Sequence, residues 1–364
     1  MTIGVVGGGQ LGRMLAIAGY PLGLDFLFLD SASTAPAGQV APLLVADFGD
    51  RARLEQLASR SDVVTFDWEN VPVESLRGLP CPVRPSRAAL AAAQDRQSEK
   101  RLFERLAIPT TRWRAVESRR DLARALSAIG LPAMLKTRRL GYDGKGQAAL
   151  RTAREADEAW ARLGGAPLIC EEFVPFDSEV SIVGARGMDG ATVFYPLCLN
   201  THAGGILRVT RAPYGRPPLQ RLAERHLERV LAHFRYVGVL TIEFFVHAGR
   251  LIANEMAPRV HNSAHWTIEG AVTSQFENHV RAVAGLPLGQ TRPLGHSAMI
   301  NLIGRMPPRA RILALGGVHL HAYGKEPRPG RKLGHCTVVA PSARARDAWV
   351  RRLLAELAAD IRIP

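Results

Sequence analysis

Lysine is almost missing from this chain: only five of its 47 basic side chains are lysine, and the rest are arginine. Cysteine is equally sparse, with four residues (Cys81, Cys170, Cys198, Cys336) and no C-x-x-C pair. That spacing argues against a disulfide framework or a zinc ribbon and for free thiols. Aromatic residues make up 6% of the chain, too few for the stacked platforms that bind single-stranded bases. No apolar run approaches the roughly 18 residues that would mark a membrane span. The opening MTIGVVGGGQLG enters a strand and a glycine turn directly, with no basic leader, so a cytoplasmic protein without a signal peptide is expected. Internal repeats and low-complexity tails are also absent.

What is present is charge and bulk. The formal charge is +14, but the arginines are spread along the whole chain rather than gathered in a block. A general basic bias acting with small anionic substrates explains that charge at least as well as DNA does, and no nucleic-acid or membrane partner is expected. A length of 364 residues suggests two to three domains, and a 47% hydrophobic content supports a substantial core. Where arginine is the default, the retained Lys100, Lys136, Lys145, Lys325 and Lys332 point to places where a compact ammonium is wanted. Chance survival is the alternative at any one of them.

The pattern along the chain predicts strands at 2–7, 25–29, 43–46 and 63–66, alternating with helices, and hence a parallel α/β sheet. The Pro-rich 79–85 segment closes this first unit. One helix is expected from Ser86 to Leu106, stopping before Ile108-Pro109. Further on, helices are expected near 118–129 and 153–163, with strands at 133–135, 146–150 and 168–172. From Ser178 the strands become antiparallel in style (179–185, 191–199, 206–212), followed by a helix over 220–234, a hairpin over 238–254 and a shorter C-terminal unit.

Gly7-x-Gly9-x-x-Gly12, after a strand and before a helix, satisfies the dinucleotide fingerprint, with Asp30 near the expected acidic position. Taken alone it favours a nicotinamide-dependent enzyme. The underlying physics is broader, because bare N–H groups at a helix N-terminus attract any anion.

The hairpin is more informative. Val239–Val246 and Leu251–Asn254 flank His247-Ala248-Gly249-Arg250, and a loop centred on Gly249 would place Glu243 directly opposite Glu255. Like charges so placed repel unless one is protonated or a cation sits between them. Oxygen donors with Asn254 alongside suit Mg²⁺ carrying nucleotide phosphates. A loop shifted by one residue would instead turn one glutamate to solvent. Arg259, His261, Asn262 and His265 follow at once, a group of donors suited to gripping bicarbonate or another small carboxylate.

A second glycine-rich segment, Lys136 to Gln147, lies between two predicted strands. Its Gly141, Gly144 and Gly146 allow the backbone to fold over phosphates, while Lys136 and Lys145 supply charge. It is not a Walker A loop, since the G-K-[ST] ending is missing. Glu171 and Glu172 end a strand, Phe173-Val174 could frame an adenine and Glu179 could take a ribose hydroxyl. For these acids taken alone, ordinary solvation at a strand end is the better explanation.

Together GGGQLGRM, WENVP, RRLGYDGKGQ, EVSIVGARG, NEMAPRVHNSAHW and RPGRKLGH closely resemble the N5-carboxyaminoimidazole ribonucleotide synthetase family, ATP-grasp carboxylases of purine biosynthesis. The resemblance runs from Thr2 to about Thr337. It implies a mixed α/β and α+β architecture: an N-terminal Rossmann-like pre-ATP-grasp domain (1–97), a central ATP-grasp domain (98–287) and a small C-terminal domain (288–364). It also implies ATP-dependent carboxylation of 5-aminoimidazole ribonucleotide by bicarbonate, with release of ADP and phosphate, by a homodimer. By matching position, ATP contacts would be Arg96, Lys136, Gly141, Tyr142, Asp143, Gly144, Lys145, Gly146, Gln147, Glu171, Glu172, Phe173, Val174, Glu179, His202, Asn254 and Glu255. Glu243 and Glu255 match the magnesium ligands. Tyr142, Asp143 and Glu69 would meet the ribonucleotide, with Lys325, Arg331 and Lys332 on its phosphate. Arg259, His261 and Asn262 match the bicarbonate region and, with Lys145, the catalytic group. Asp67 stands where the family carries a longer glutamate, which leaves open whether Asp67 or Glu69 reaches the substrate ring.

Overall fold

The computed structural model describes residues 1–141 and 144–358. At the N-terminus, apolar runs form a parallel sheet in the order Leu43–Val45, Asp25–Asp30, Thr2–Val6, Val63–Phe66. Its inner strands, Asp25–Asp30 and Thr2–Val6, are buried in nearly every residue, which is what continuous rather than alternating apolar runs require.

Two antiparallel sheets follow. The smaller runs Trp113–Val116, Leu168–Glu172, Ala133–Thr137, Gln147–Leu150, covered by the helices Arg119–Ile129 and Ala153–Leu163. The larger has nine strands, ordered Arg250–Ala257, Gly238–His247, Ser178–Arg186, Cys198–Ala203, Ile206–Ala212, His296–Ile303, Lys332–Ala340, His319–Ala322, with Thr192–Phe194 also pairing to Ser178–Arg186. Val209 pairs with Ile300, so the C-terminal strands extend the same sheet that carries the glutamate hairpin. A final helix, Ala343–Leu357, covers the C-terminal strands.

Three local expectations need correction. The helix expected from Ser86 to Leu106 is two helices, Arg87–Ala93 and Arg96–Arg105. Asp95 breaks it by taking an extended conformation and accepting the N–H groups of Gln97 and Ser98, which starts a new helix. Arg138 bonds the same carboxylate at 2.7 Å. The strand expected over 191–199 is also split, into Thr192–Phe194 and Cys198–Ala203, around a buried Tyr195 and Pro196, which has no N–H to give a ladder.

The third correction concerns the hairpin. Its loop is two residues, Ala248 and Gly249, both left-handed (φ 47° and 72°), as a tight hairpin turn demands. His247 opposes Arg250, and continued without interruption this register would put Glu243 against Asn254. A β-bulge intervenes: Phe244 opposes Ala253, while Glu243 opposes Glu255. The two glutamates do face each other, but the extra residue Asn254 brings them there rather than a loop centred on Gly249.

Candidate active site

Two adjoining cavities occupy the cleft between the sheets. The smaller, about 280 Å³, lies against both antiparallel sheets and is lined by Lys136, Gln147, Glu172, Phe173, Val174, Glu179, His202, Glu243 and Asn254. The larger, about 1000 Å³, reaches the N-terminal sheet and is lined by Asp67, Glu69, Gly141, Arg259, Lys325 and Arg331. Arg96, Lys145, Glu255, His261, Asn262 and Lys332 line both. Most described residues that the resemblance assigns to ATP therefore line the smaller chamber, with Gly141 on the larger, while Glu69, Lys325 and Arg331 line the larger and Lys332 both. Glu255, His261 and Asn262 stand where the two chambers meet. Tyr142 and Asp143 lie outside the described residues.

The carboxylate pair is electrostatically unfavourable as it stands. Burial pushes the Glu243 carboxyl up to about 7; His202 opposes the rise, and Glu255 and Glu179 add to it. Burial acts the same way on Glu255, but Arg96, at 3.1 Å, and Lys136 hold it below its ordinary value. In the lining of the same cavity the Asn254 Oδ1 is buried and, among the described residues, has no hydrogen-bond partner. An all-oxygen donor set of two carboxylates and an orphaned amide oxygen fits Mg²⁺, which keeps several waters and binds through one or two carboxylates plus substrate phosphates.

The walls of the smaller cavity are held by polar pairs. Glu179 meets His202 Nδ1 at 2.9 Å. Burial disfavours charge on His202, yet Glu179, Glu243 and Glu255 together raise it above the ordinary imidazole value. Gly144 and Gly146 are left-handed (φ 76° and 70°), and a Cβ on Gly144 would come within 3.0 Å of Gly205 Cα, so the loop needs glycine there to lie against the 204–205 turn. Phe176 stacks on Phe245 at 4.8 Å along this cavity, an aromatic wall that no sequence motif announced.

Glu171 lines the smaller cavity. It is 1% exposed and held at the cavity floor by Lys100 and Lys136, each at 3.3 Å, and by Thr111 at 2.9 Å. Burial alone would raise its pKa, but Lys100, Lys136 and Arg96 bring it well below the usual carboxylate range. Glu172 accepts from Arg112 at 2.6 Å. Lys100 is fully buried and was visible in the sequence only as a retained lysine. Glu99, at 2% exposure, was not singled out at all. Their signal was there: Arg96, Glu99 and Lys100 follow the Asp95 cap at i, i+3, i+4, which places them on one helix face.

In the larger cavity, the glycine motif contains its own anions. A Cβ on Gly7 (φ 103°) would lie 1.8 Å from Asp67 Oδ1, and one on Gly12 would lie 3.0 Å from Oδ2. Gly12 N–H donates to Asp67 at 2.8 Å and Gly8 N–H to Asp30 at 2.7 Å. Carboxylates thus fill the helix N-terminus where a dinucleotide would place its pyrophosphate. Burial pushes Asp67 up to about 6, with the Gly12 bond opposing and Asp30 reinforcing. Glu69 instead forms an ion pair with Arg259, and Gln94 donates to its backbone carbonyl at 2.8 Å.

Lys325 donates to Gln10 Oε1 and has its pKa pushed down to about 8 by burial and then by Arg331, while Asp67 partly offsets the shift. Crowded cations of this kind suit a dianionic phosphate. His261 is held neutral, well below the ordinary imidazole pKa, by burial and by Arg259 and Lys332. Its backbone N–H donates to Gln275 at 2.9 Å, and Asn262 forms a reciprocal amide pair with Asn301 at 3.0 and 2.7 Å. His265, grouped with these residues by sequence, turns away into the core, 5.0 Å from the His335 ring and 5.3 Å from Phe276.

Comparison with known proteins matches three segments of the chain to family models. Residues 1–94 match the ribonucleotide synthetase preATP-grasp domain, 101–276 the ATP-grasp domain and 297–348 the phosphoribosylaminoimidazole carboxylase C-terminal domain. The chain is 56% identical over 340 residues to N5-carboxyaminoimidazole ribonucleotide synthase of Pseudomonas aeruginosa, covering 93% of this chain and 94% of that protein. The crystal structure of the Thermus thermophilus synthetase superposes with a TM-score of 0.93 at 51% identity, covering 100% of this chain and 99% of that one. A synthase from Aspergillus clavatus, solved with ADP and 5-aminoimidazole ribonucleotide, superposes with a TM-score of 0.91 at 28% identity, covering 98% of each chain.

Proposed function

The chain belongs to the N5-carboxyaminoimidazole ribonucleotide synthases, ATP-grasp ligases, and on that premise we propose how its own residues divide the work. The overall reaction is ATP-dependent conversion of 5-aminoimidazole ribonucleotide to its N5-carboxy derivative, a step of purine biosynthesis. Among the described residues no helix is long and apolar enough to cross a membrane.

ATP occupies the smaller cavity in this reading. The 144–147 backbone covers its phosphates, Lys136 and Lys145 neutralise them, and Phe173, Val174 and the Phe176–Phe245 pair frame the base. A magnesium ion on Glu243 and Glu255, when bound, neutralises charge on the phosphate oxygens. The ribonucleotide lies in the larger cavity with its phosphate on Lys325, Arg331 and Lys332 and its ring toward Asp67 and Glu69. Bicarbonate is the third substrate, held by Arg259, His261 and Asn262. Its oxygen attacks the γ-phosphorus and ADP leaves. The resulting carboxyphosphate passes its carboxyl group to the substrate amine, with loss of phosphate and of the amine proton. Arg96 and Lys136 hold charge at the site of transfer, so the rate arises from positioning and electrostatics rather than from covalent catalysis by the protein.

The observation that carries this reading is the Glu243–Glu255 pair: both line the smaller chamber, and Glu255 also faces the larger, cationic one. We retain the division 1–97, 98–287 and 288–364, supported by the three family-model matches, and a homodimer, to be checked by sedimentation. The decisive assay is phosphate release. Aminoimidazole ribonucleotide plus bicarbonate should stimulate ATP hydrolysis, while glycinamide ribonucleotide with formate should not; the reverse pattern would identify a sister ligase.

A further inference from the structure

The bulge that brings Glu255 opposite Glu243 is not stabilised by its own hairpin. The strand Arg250–Ala257 is the edge of the large sheet, so one side of its backbone faces away from the ladder. On that side lies the helix Arg96–Arg105. Lys100 Nζ donates to the carbonyl of Ala253 at 3.3 Å and to that of Asn254 at 3.1 Å. In a regular strand successive carbonyls point to opposite edges, so one ammonium cannot reach both. Both are within reach here because Asn254 is the bulged residue. The preceding helix residue, Glu99, accepts the N–H of Met256 at 2.5 Å, just beyond Glu255. Two consecutive side chains, one donor and one acceptor, therefore bracket the bulge and match its backbone polarity. Thr110 adds a hydroxyl to the Ala253 carbonyl at 2.8 Å and receives Lys100 at 2.9 Å.

We propose that Glu99 and Lys100 are positioning residues that select the bulged register of the 250–257 strand and thereby place Glu255 against Glu243 as a bidentate metal seat. The inference rests on the assignment of the two glutamates to the metal. Lys100 also reaches Glu171 at 3.3 Å, so the same ammonium ties the metal strand to the sheet beneath the nucleotide. Without the clamp the simpler pairing becomes available, in which Asn254 faces Glu243 and Glu255 points away. The two cavities would remain, and the metal seat would be lost.

The test compares ADP affinity with and without Mg²⁺ by calorimetry and takes the ratio. Replacing groups that orient metal ligands typically weakens metal affinity about 10–100-fold. Lys100→Met and Glu99→Leu should each cut the magnesium enhancement about tenfold or more, with metal-free ADP affinity changed far less. Glu99→Gln should retain it, because an amide oxygen still accepts the Met256 N–H. Enhancement kept within twofold in folded Lys100→Met or Glu99→Leu overturns the proposal. If Lys100→Met does not fold, the Glu99→Leu and Glu99→Gln pair decides: loss in the first with retention in the second supports the clamp, and equal behaviour sinks it. Glu255→Gln in parallel separates the two levels. Enhancement surviving in that variant refutes the metal assignment itself, whereas its loss there with retention in Lys100→Met refutes only the clamp.

Discussion

Asp67→Asn should make the unliganded protein less sensitive to rising pH. Asp67 is buried inside the Gly7–Gly12 turn, and its carboxyl is pushed up to about 6 from an ordinary 3.8, chiefly by burial. A carboxyl whose folded pKa exceeds its unfolded one binds its proton more tightly in the native state. Its stabilising contribution is complete below the unfolded value and disappears as pH rises through the folded one. The full swing is the shift of about 2 units at 1.36 kcal/mol each, or about 3 kcal/mol. Between about pH 4.5 and 7.5, roughly 2 kcal/mol of it is crossed, since part of the titration lies below the window. Asparagine has the same shape, can still accept the Gly12 N–H, and does not titrate. The stability difference between variant and wild type should therefore move in favour of Asp67→Asn by about 2 kcal/mol across that window. Urea unfolding at several pH values, followed with a probe in the N-terminal unit, measures it. Only the change with pH matters, so any constant offset from the substitution cancels. Parallel pH profiles for the two proteins would refute the reasoning.

Other outcomes follow from the same geometry. Glu255→Gln should reduce turnover by about two orders of magnitude or more with an unchanged circular dichroism spectrum, since it removes a charged site group and not a core residue; near-normal kcat would remove Glu255 from the chemistry. Lys325→Met should raise KM for the ribonucleotide roughly tenfold or more, the value of a hydrogen bond to a charged group, and leave KM for ATP nearly unchanged; parallel increases would place Lys325 elsewhere. Gly7→Ala should destabilise by about 1–3 kcal/mol through its left-handed backbone. It should cost more than Gly23→Ala, whose φ is also positive but whose Cβ would meet open space. Equal losses in thermal melts would mean that the Asp67 contact carries no weight.

The parallel N-terminal sheet was readable because its strands are unbroken apolar runs, whereas the hairpin turn by itself sets a register that puts Glu243 against Asn254. The bulge was not readable. Its cause is Lys100 and Glu99, which lie more than 150 residues away in sequence and reach backbone atoms rather than side chains. The dinucleotide fingerprint misleads for a related reason: the anion that satisfies Gly12 is Asp67, 55 residues downstream, and nothing in a glycine spacing says whose negative charge the turn holds. The helix break at Asp95 shows the same limit. Its capping chemistry is local, but the arginine at 138 that shares its carboxylate arrives from another sheet. His265 looked like a fourth anion donor from proximity in sequence, and the 3-10 turn Asn262–Ala264 that precedes it leaves it fully buried.

The clamped strand also bears on how the protein avoids sticking to itself. A nine-stranded sheet ending in an eight-residue edge would ordinarily present a row of free amides and carbonyls on which a second molecule's strand can crystallise. Here the outward Ala253 N–H is taken by Pro109, its carbonyl by Thr110 and Lys100, the Asn254 carbonyl by Lys100 and the Met256 N–H by Glu99. The opposite edge, His319–Ala322, is only four residues long. The groups that shape the metal seat thus double as a seal against fibrous growth. Damage to them should register in a crowded cell as insoluble protein as well as lost purine synthesis.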